Sequence, residues 1–367
     1  MPTADFSLVA DKARIATMKA AVYKGAGAVA VESIPVPEIL PGEILIRVEA
    51  CGICHTDLKK IEYNLLPPPR IYGHETAGVV AAVGDNVAPR FQPGDRVVVF
   101  HHIPCGQCFY CQKKLYAQCP TYKKVGVTAG YEPAGGGFSQ YVRVMDWIVD
   151  QGVEKIPAGV SFEQASFVEP VNTCLKGVKQ LAPQKGDVVV ILGQGPIGLI
   201  FTMMVARSGA HILATDTMAS RRALAVRFGA EQAFDPRESG LGRRVKEMTE
   251  GRGADLVIIA ASAPGIVGQA VECSRPGARI LLFAQTSHQE RIEVSGADIC
   301  MGERVLCGSY SASVDLQKES AELVFSGALP VNELISHRFP LNEIERGIER
   351  ALHPDDRSLK IVVQPQR

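Results

Sequence analysis

The rhythm of hydrophobic positions changes once along this chain, near Phe162. Before that point, short apolar runs rich in β-branched residues are separated by turns of Gly and Pro. Ile44-Leu45-Ile46-Arg47-Val48 follows Pro41-Gly42, and Arg96-Val97-Val98-Val99-Phe100 follows Pro93-Gly94-Asp95. Short strands between such turns predict a β-rich unit. The fold is expected to open at Met18-Lys19-Ala20-Ala21-Val22, with residues 1–17 as an N-terminal extension.

Beyond Phe162 the pattern alternates between periods of two and 3.6. Val188–Leu192 is an unbroken apolar run, followed by a glycine-rich turn and a helical stretch to Ser208. Strands are predicted at His211–Thr215, Leu256–Ala260 and Arg279–Phe283, with helices near Ser220–Phe228 and Gly265–Cys273. Strands alternating with helices predict an α/β unit: a doubly wound parallel sheet with helices on both faces. After Arg304 come two helix candidates and a strand, Lys360–Val363, placed to return to the first unit. The expected division is 18–165, 166–304 and 305–367. It agrees with about two domains for this length at roughly 150 residues each.

Composition narrows the function classes. Lys plus Arg and Asp plus Glu are each 39, so no excess positive field exists to gather nucleic acid or a membrane surface. The most apolar stretch, Val188 to Ala206, is broken by Gln194 and Pro196 and makes a poor membrane span. The N-terminal residues carry Asp5 and Asp11 and lack a signal-peptide pattern. Ten cysteines spread over 367 residues do not read as a disulfide framework, which points to a cytoplasmic chain with reduced thiols.

Three groups of residues carry chemistry. Gly193-Gln194-Gly195-Pro196-Ile197-Gly198 is a G-x-G-x-x-G that follows a predicted strand and opens a helix. Gly193 permits the turn, Gly195 admits a pyrophosphate and Gly198 allows close packing, while the helix N-terminus offers N–H donors. Asp216 lies at the end of the next strand, where a carboxylate accepts ribose hydroxyls and disfavours a 2′-phosphate. NAD is therefore expected over NADP, with Arg221 and Arg222 near enough to soften the preference. Second, Cys105, Cys108, Cys111 and Cys119 pack four thiols into one short segment. They suit a closed tetrahedral zinc site; an iron–sulfur cluster is the rival, disfavoured by the long gap before Cys119. Third, Cys54, His74, Glu75 and Glu169 form a Cys/His/carboxylate set of the kind that catalytic zinc requires.

These motifs, with Pro93-Gly94-Asp95-Arg96-Val97 and Gly136-Gly137-Phe138-Ser139-Gln140-Tyr141, stand in the order that resembles the zinc-dependent medium-chain dehydrogenases from Met18 to Val363. The sorbitol and threonine dehydrogenase branch is nearest, because Glu169-Pro170 stands where alcohol dehydrogenases carry a cysteine ligand. The resemblance implies a GroES-like catalytic unit joined to a Rossmann unit, two zinc ions per chain, and hydride transfer between a secondary alcohol (a polyol, sugar alcohol or amino alcohol) and NAD. It implies Cys54 and His74 as direct zinc ligands and leaves Glu75 and Glu169 as alternatives for the third. It places Thr56 beside the reacting oxygen, His55 near the cofactor pyrophosphate and Thr173 against the nicotinamide. Lys59 occupies a position where many relatives carry a relay histidine, so the proton route departs from theirs. A homodimer or homotetramer is implied. Three competing readings stand beside this one: a primary alcohol or aldehyde dehydrogenase, a zinc-free reductase of the same superfamily, and a non-enzymatic NAD-binding redox sensor with structural zinc alone. Cys51 is expected to be structural and Cys174, Cys273, Cys300 and Cys307 to be core or surface thiols, while His101 and His102, after their strand, either line the cleft or, as the favoured reading, sit in a turn.

Overall fold

Alternating and continuous apolar runs give two different sheets. In the computed structural model, which describes residues 17–122, 136–238, 240–284 and 291–367, the first part of the chain forms eight strands. They are Thr17–Gly25 (β1), Ala28–Pro35 (β2), Ile44–Gly52 (β3), Arg70–Ile71 (β4), Glu75–Val83 (β5), Arg96–Val99 (β6), Tyr141–Val144 (β7) and Val153–Lys155 (β8). Along most of β3, buried and half-buried residues alternate, as expected where one face of an antiparallel sheet meets the core. The last residues of β3 are all buried, and there the strand runs past the predicted Val48 into the site.

The second part supplies Val188–Leu192 (β9), His211–Thr215 (β10), Gln232–Phe234 (β11), Ala254–Ile259 (β12), Ser274–Leu282 (β13) and Val305–Gly308 (β14). They form one parallel sheet in the order β11-β10-β9-β12-β13-β14. Every residue of β9 is buried, because both faces are covered. Val189 and Ile191 pack on one side with Val171, Leu175 and Leu199, and Val190 and Leu192 on the other with Val245, Val267 and Ala270. The order reverses between β9 and β12, and ligands of such sheets bind at that switch point. β14 belongs to this sheet, so it extends past the expected break at Arg304.

Ile335–Pro340 (β15) and Lys360–Gln364 (β16) complete the structure. β16 pairs with β3, Val362 opposite Gly52 and Val363 opposite Cys51, so the C-terminal strand returns to the first sheet as expected. That sheet runs β15-β16-β3-β5-β6-β8, with β7 also on β3. The helices that position the site are His55–Glu62 (α1), Val168–Leu181 (α2) and Pro196–Ala206 (α3). Of the expected N-terminal extension, residues 1–16 lie outside the described residues and Thr17 opens β1. Among the described residues, no helix is long and apolar enough to cross a membrane.

Candidate active site

Three strand ends and two helix starts converge on the cleft beside the switch point. Cys54 is the N-cap of α1, directly after β3. His74 and Glu75 lie at the start of β5, opposite Gly52 in the sheet register. The ligand atoms of Cys54, His74 and Glu75 all lie within 4.8 Å of one another. A zinc ion with ligand bonds of about 2.0–2.3 Å spans such a set with small side-chain adjustments.

The supporting contacts also fit a metal site. Asp57, in the first turn of α1 and fully buried, holds His74 Nδ1 at 3.1 Å and leaves Nε2 free to face the set. This carboxylate–histidine pairing is the usual means of fixing the tautomer of a metal-ligating imidazole. Burial disfavours the charged form of His74, but Asp57 and Cys54 outweigh it and hold the imidazole well above its ordinary value. Glu75 faces Lys360, whose Nζ also donates to the Ile53 carbonyl at 3.2 Å. Both residues are buried, so each charge offsets the burial cost of the other. Gly52 makes room for them, because an added Cβ would stand 1.9 Å from Glu75 Oε2. The compact set contains Glu75 and not Glu169.

Glu169, in the first turn of α2, lies across the cleft. Burial is the main cause that raises its carboxyl to about 7; Glu75 adds to it while His74 and Lys360 oppose it. Its neighbour is His101, whose Nδ1 is 3.6 Å from Glu169 Oε1. His101 follows its strand, and its side chain is buried in the cleft, 5.5 Å from the His74 ring and 4.7 Å from the His102 ring. The turn does follow β6, but it folds inward against Tyr122. Burial and the neighbouring His102 keep His101 well below its ordinary pKa, and burial brings His102 down to about 3.

The remaining expected residues fall around this cleft. Thr56 is half-buried and His55 exposed in the first turn of α1. Thr173 is buried in α2, where its hydroxyl donates to the Pro170 carbonyl at 2.8 Å. Asp57, Lys360, Tyr122 and Ser311 had no place in the sequence reading. Asp57 carried a signal, since it lies three residues after Cys54 on a helical turn; the other three are remote in sequence.

At the switch point the three glycines have different surroundings. Gly193 has φ +93°, and an added Cβ would meet Ala261 Cβ at 2.5 Å. At Gly198 a Cβ would lie 1.9 Å from the Gly193 carbonyl oxygen. At Gly195 the nearest atom is Arg221 Nη1 at 3.9 Å, so a Cβ there would project into open space beside the α3 N-terminus, the space a pyrophosphate needs. Pro196 occupies the first turn of α3, where its missing N–H costs nothing, and Ile197 follows half-buried. Asp216 Oδ2 accepts the Gln194 N–H and Oδ1 the Met218 N–H, both at 2.8 Å. Arg221 donates to the Ser358 carbonyl and Arg222 to the Asp216 carbonyl, each at 2.8 Å. Arg221 Nη1 also stands 3.9 Å from Asp216 Oδ2.

The four-cysteine segment is equally compact. Cys108 and Cys111 sulfurs are 3.6 Å apart, Cys105 and Cys111 4.0 Å, and all four lie within 4.8 Å. A tetrahedron with metal–sulfur bonds of about 2.3 Å has edges near 3.8 Å. Burial raises the Cys119 thiol, but N–H donors led by Cys105 outweigh it and bring it down to about 6. Burial and the neighbouring Cys108 push Cys111 up to about 12, so it is the spacing of the four sulfurs that fits zinc.

A parallel sheet with a dinucleotide cradle, an antiparallel unit with a Cys/His/Glu donor set and a four-thiol lobe together define a metal-dependent, nucleotide-linked dehydrogenase. Comparison with known proteins agrees. Residues 40–157 match the alcohol dehydrogenase GroES-like domain and residues 196–326 the zinc-binding dehydrogenase domain. Sorbitol dehydrogenase of Bacillus subtilis is 31% identical over 356 residues, which cover 95% of this chain and 98% of that one. The structure superposes on galactitol-1-phosphate dehydrogenase from Escherichia coli with TM-score 0.83 at 28% identity, covering 95% and 100% of the two chains. An alcohol dehydrogenase from E. coli CFT073, solved with NADH, gives TM-score 0.84 at 26% identity, covering 95% and 99%. The chain belongs to the zinc-dependent medium-chain dehydrogenase family.

Proposed function

We propose that this enzyme oxidises a secondary alcohol (a polyol, sugar alcohol or amino alcohol) with NAD, and reduces the corresponding carbonyl in reverse. The observation that carries the reading is the clustering of Cys54, His74 and Glu75 beside the dinucleotide cradle, with Glu169 facing them. In this reading Cys54 and His74 bind the catalytic zinc, with Glu75 or Glu169 as the carboxylate partner. Cys105, Cys108, Cys111 and Cys119 bind the structural zinc. The catalytic ion, when bound, supplies Lewis acidity that lowers the pKa of the substrate hydroxyl.

The protein's part is alignment and electrostatics. Gly195 and the α3 N-terminus, with Pro196 and Ile197, receive the pyrophosphate. Asp216 and Arg221 flank the adenosine ribose, and His55 serves the pyrophosphate from the other side. Thr173 packs on the nicotinamide. Thr56 hydrogen-bonds the reacting oxygen and begins the proton's exit. Lys360 neutralises Glu75, so the site keeps one unbalanced carboxylate, Glu169, to respond to the reacting oxygen. The reading assigns 18–165 to catalysis, 166–304 and β14 to the cofactor, and the rest to the return. It also includes a cytoplasmic setting and assembly as a homodimer or homotetramer.

The test combines metal content and turnover. We expect Cys54→Ala to lose one of two zinc ions per chain and all turnover against a panel of secondary alcohols, while still binding NADH by fluorescence. Unchanged turnover in that variant would sink the mechanism.

A further inference from the structure

We infer that His101 is a positioning residue for Glu169, held in one tautomer by Ser311 and Tyr122 from across the cleft. This inference rests on the proposed role of Glu169. The four groups come from separate parts of the chain. His101 follows β6, Tyr122 follows the four-cysteine lobe, Ser311 follows β14, and Glu169 opens α2.

His101 is 4% exposed, and its Nδ1 has no hydrogen-bond partner among the described residues. A buried polar atom in that condition is costly and needs a partner. The acceptor at hand is Glu169 Oε1, 3.6 Å away. That separation is longer than a hydrogen bond, as is common in active sites before substrate binds. On the far side of the ring, Nε2 is 3.3 Å from Ser311 Oγ and 3.2 Å from the Tyr122 hydroxyl. The Tyr122 hydroxyl and Ser311 Oγ are 2.6 Å apart.

Of the assignments these distances allow, the proposed one runs inward. Tyr122 O–H donates to Ser311 Oγ, Ser311 O–H donates to His101 Nε2, and Nδ1–H is directed at the Glu169 carboxylate. Toward an ionised Glu169, which can only accept, the imidazole presents its proton on Nδ1. The opposite tautomer would set a ring lone pair against the carboxylate. Among the described residues, the next neighbour of the buried Tyr122 hydroxyl is the Ala312 carbonyl at 3.4 Å, which has no proton to give. The arrangement therefore positions a group rather than conducting protons to solvent. Because Ser311 follows the cofactor sheet while His101 follows the catalytic sheet, approach of the two sheets and orientation of Glu169 become one event.

The test uses four single variants of the holoenzyme and one double variant. Tyr122→Phe keeps the ring packed against His102 and removes one oxygen. A neutral hydrogen bond contributes about 1 kcal/mol, so kcat should fall about fivefold with the NAD KM unchanged. His101→Leu should lose more, and His101→Asn, which keeps an N–H near the Nδ1 position, should recover most of that loss. In a Glu169→Gln background, Tyr122→Phe should cost nothing further, since the two act through one chain. Independently of turnover, 15N spectra of histidine-labelled enzyme should show His101 with its proton on Nδ1 and should lose that preference in Tyr122→Phe. A proton on Nε2, or additive losses in the double variant, would overturn the inference. Full turnover in Glu169→Gln alone would instead remove the role of Glu169 in the proposed function, while the tautomer would still report on the chain.

Discussion

Replacing Asp216 by Asn separates the loop contacts it makes from the cofactor choice proposed for it. Each carboxylate oxygen accepts one backbone N–H at 2.8 Å, from Gln194 and Met218. Asparagine keeps one acceptor and turns an NH2 toward the other donor. Hydrogen bonds to a charged group are worth about 1.5–3 kcal/mol, so the loop and the ribose contact lose that much. At 1.4 kcal/mol per decade, NAD should bind about 10- to 100-fold more weakly. For NADP the loss is offset, because the variant no longer sets a negative charge against the 2′-phosphate. Arg221 Nη1, 3.9 Å from Asp216 Oδ2, becomes available to that phosphate. The ratio of kcat/KM for NAD over NADP should fall by at least about tenfold, with a small drop in Tm. The assay is NADH or NADPH absorbance across a cofactor titration, with thermal melts as control. An unchanged ratio together with an unchanged NAD KM would refute the reasoning.

Two further predictions follow from the same structure. Gly198→Ala forces a Cβ to within 1.9 Å of a backbone oxygen and should destabilise by about 1–3 kcal/mol in thermal melts, whereas Gly195→Ala, with open space around it, should melt normally and bind NADH poorly; equal melting of the two would contradict the division of labour. Asp255 accepts the Val188 N–H at 2.7 Å and pairs with Arg275 at 2.6 Å, and these outweigh its burial to hold the carboxyl below its ordinary range. A depressed carboxyl stabilises the fold above its unfolded value of about 3.9 and loses that contribution as pH falls through the folded value. Asp255→Asn should therefore lower Tm at pH 7, and the gap should narrow below about pH 4; a gap independent of pH would count against the linkage.

Much of the molecule was readable from local pattern. Val188–Leu192 and His211–Thr215 were placed at their observed ends, because a buried parallel strand is an unbroken apolar run with sharp polar borders. The glycine motif was equally local: turn, cradle and helix start lie within six residues. The four thiols of the lobe were close enough in sequence to imply their proximity. Helix Val168–Leu181 was not foreseen, since its buried face runs almost all round and hides the amphipathic period.

The sequence by itself determined the chemistry available to this protein. It placed a glycine-rich turn at a helix start, four thiols in one short segment, further metal-competent donors, and an acid at the end of the next strand. Only the tertiary structure decided which charges face one another. Lys360 meets Glu75 across 285 residues, and Tyr122 meets Ser311 across 189. His101 turns inward because Tyr122, Ser311 and Glu169 offer it polar partners in the cleft. Such pairings depend on how strands from distant segments share one sheet, and a side chain's neighbours across a sheet leave no period in the sequence.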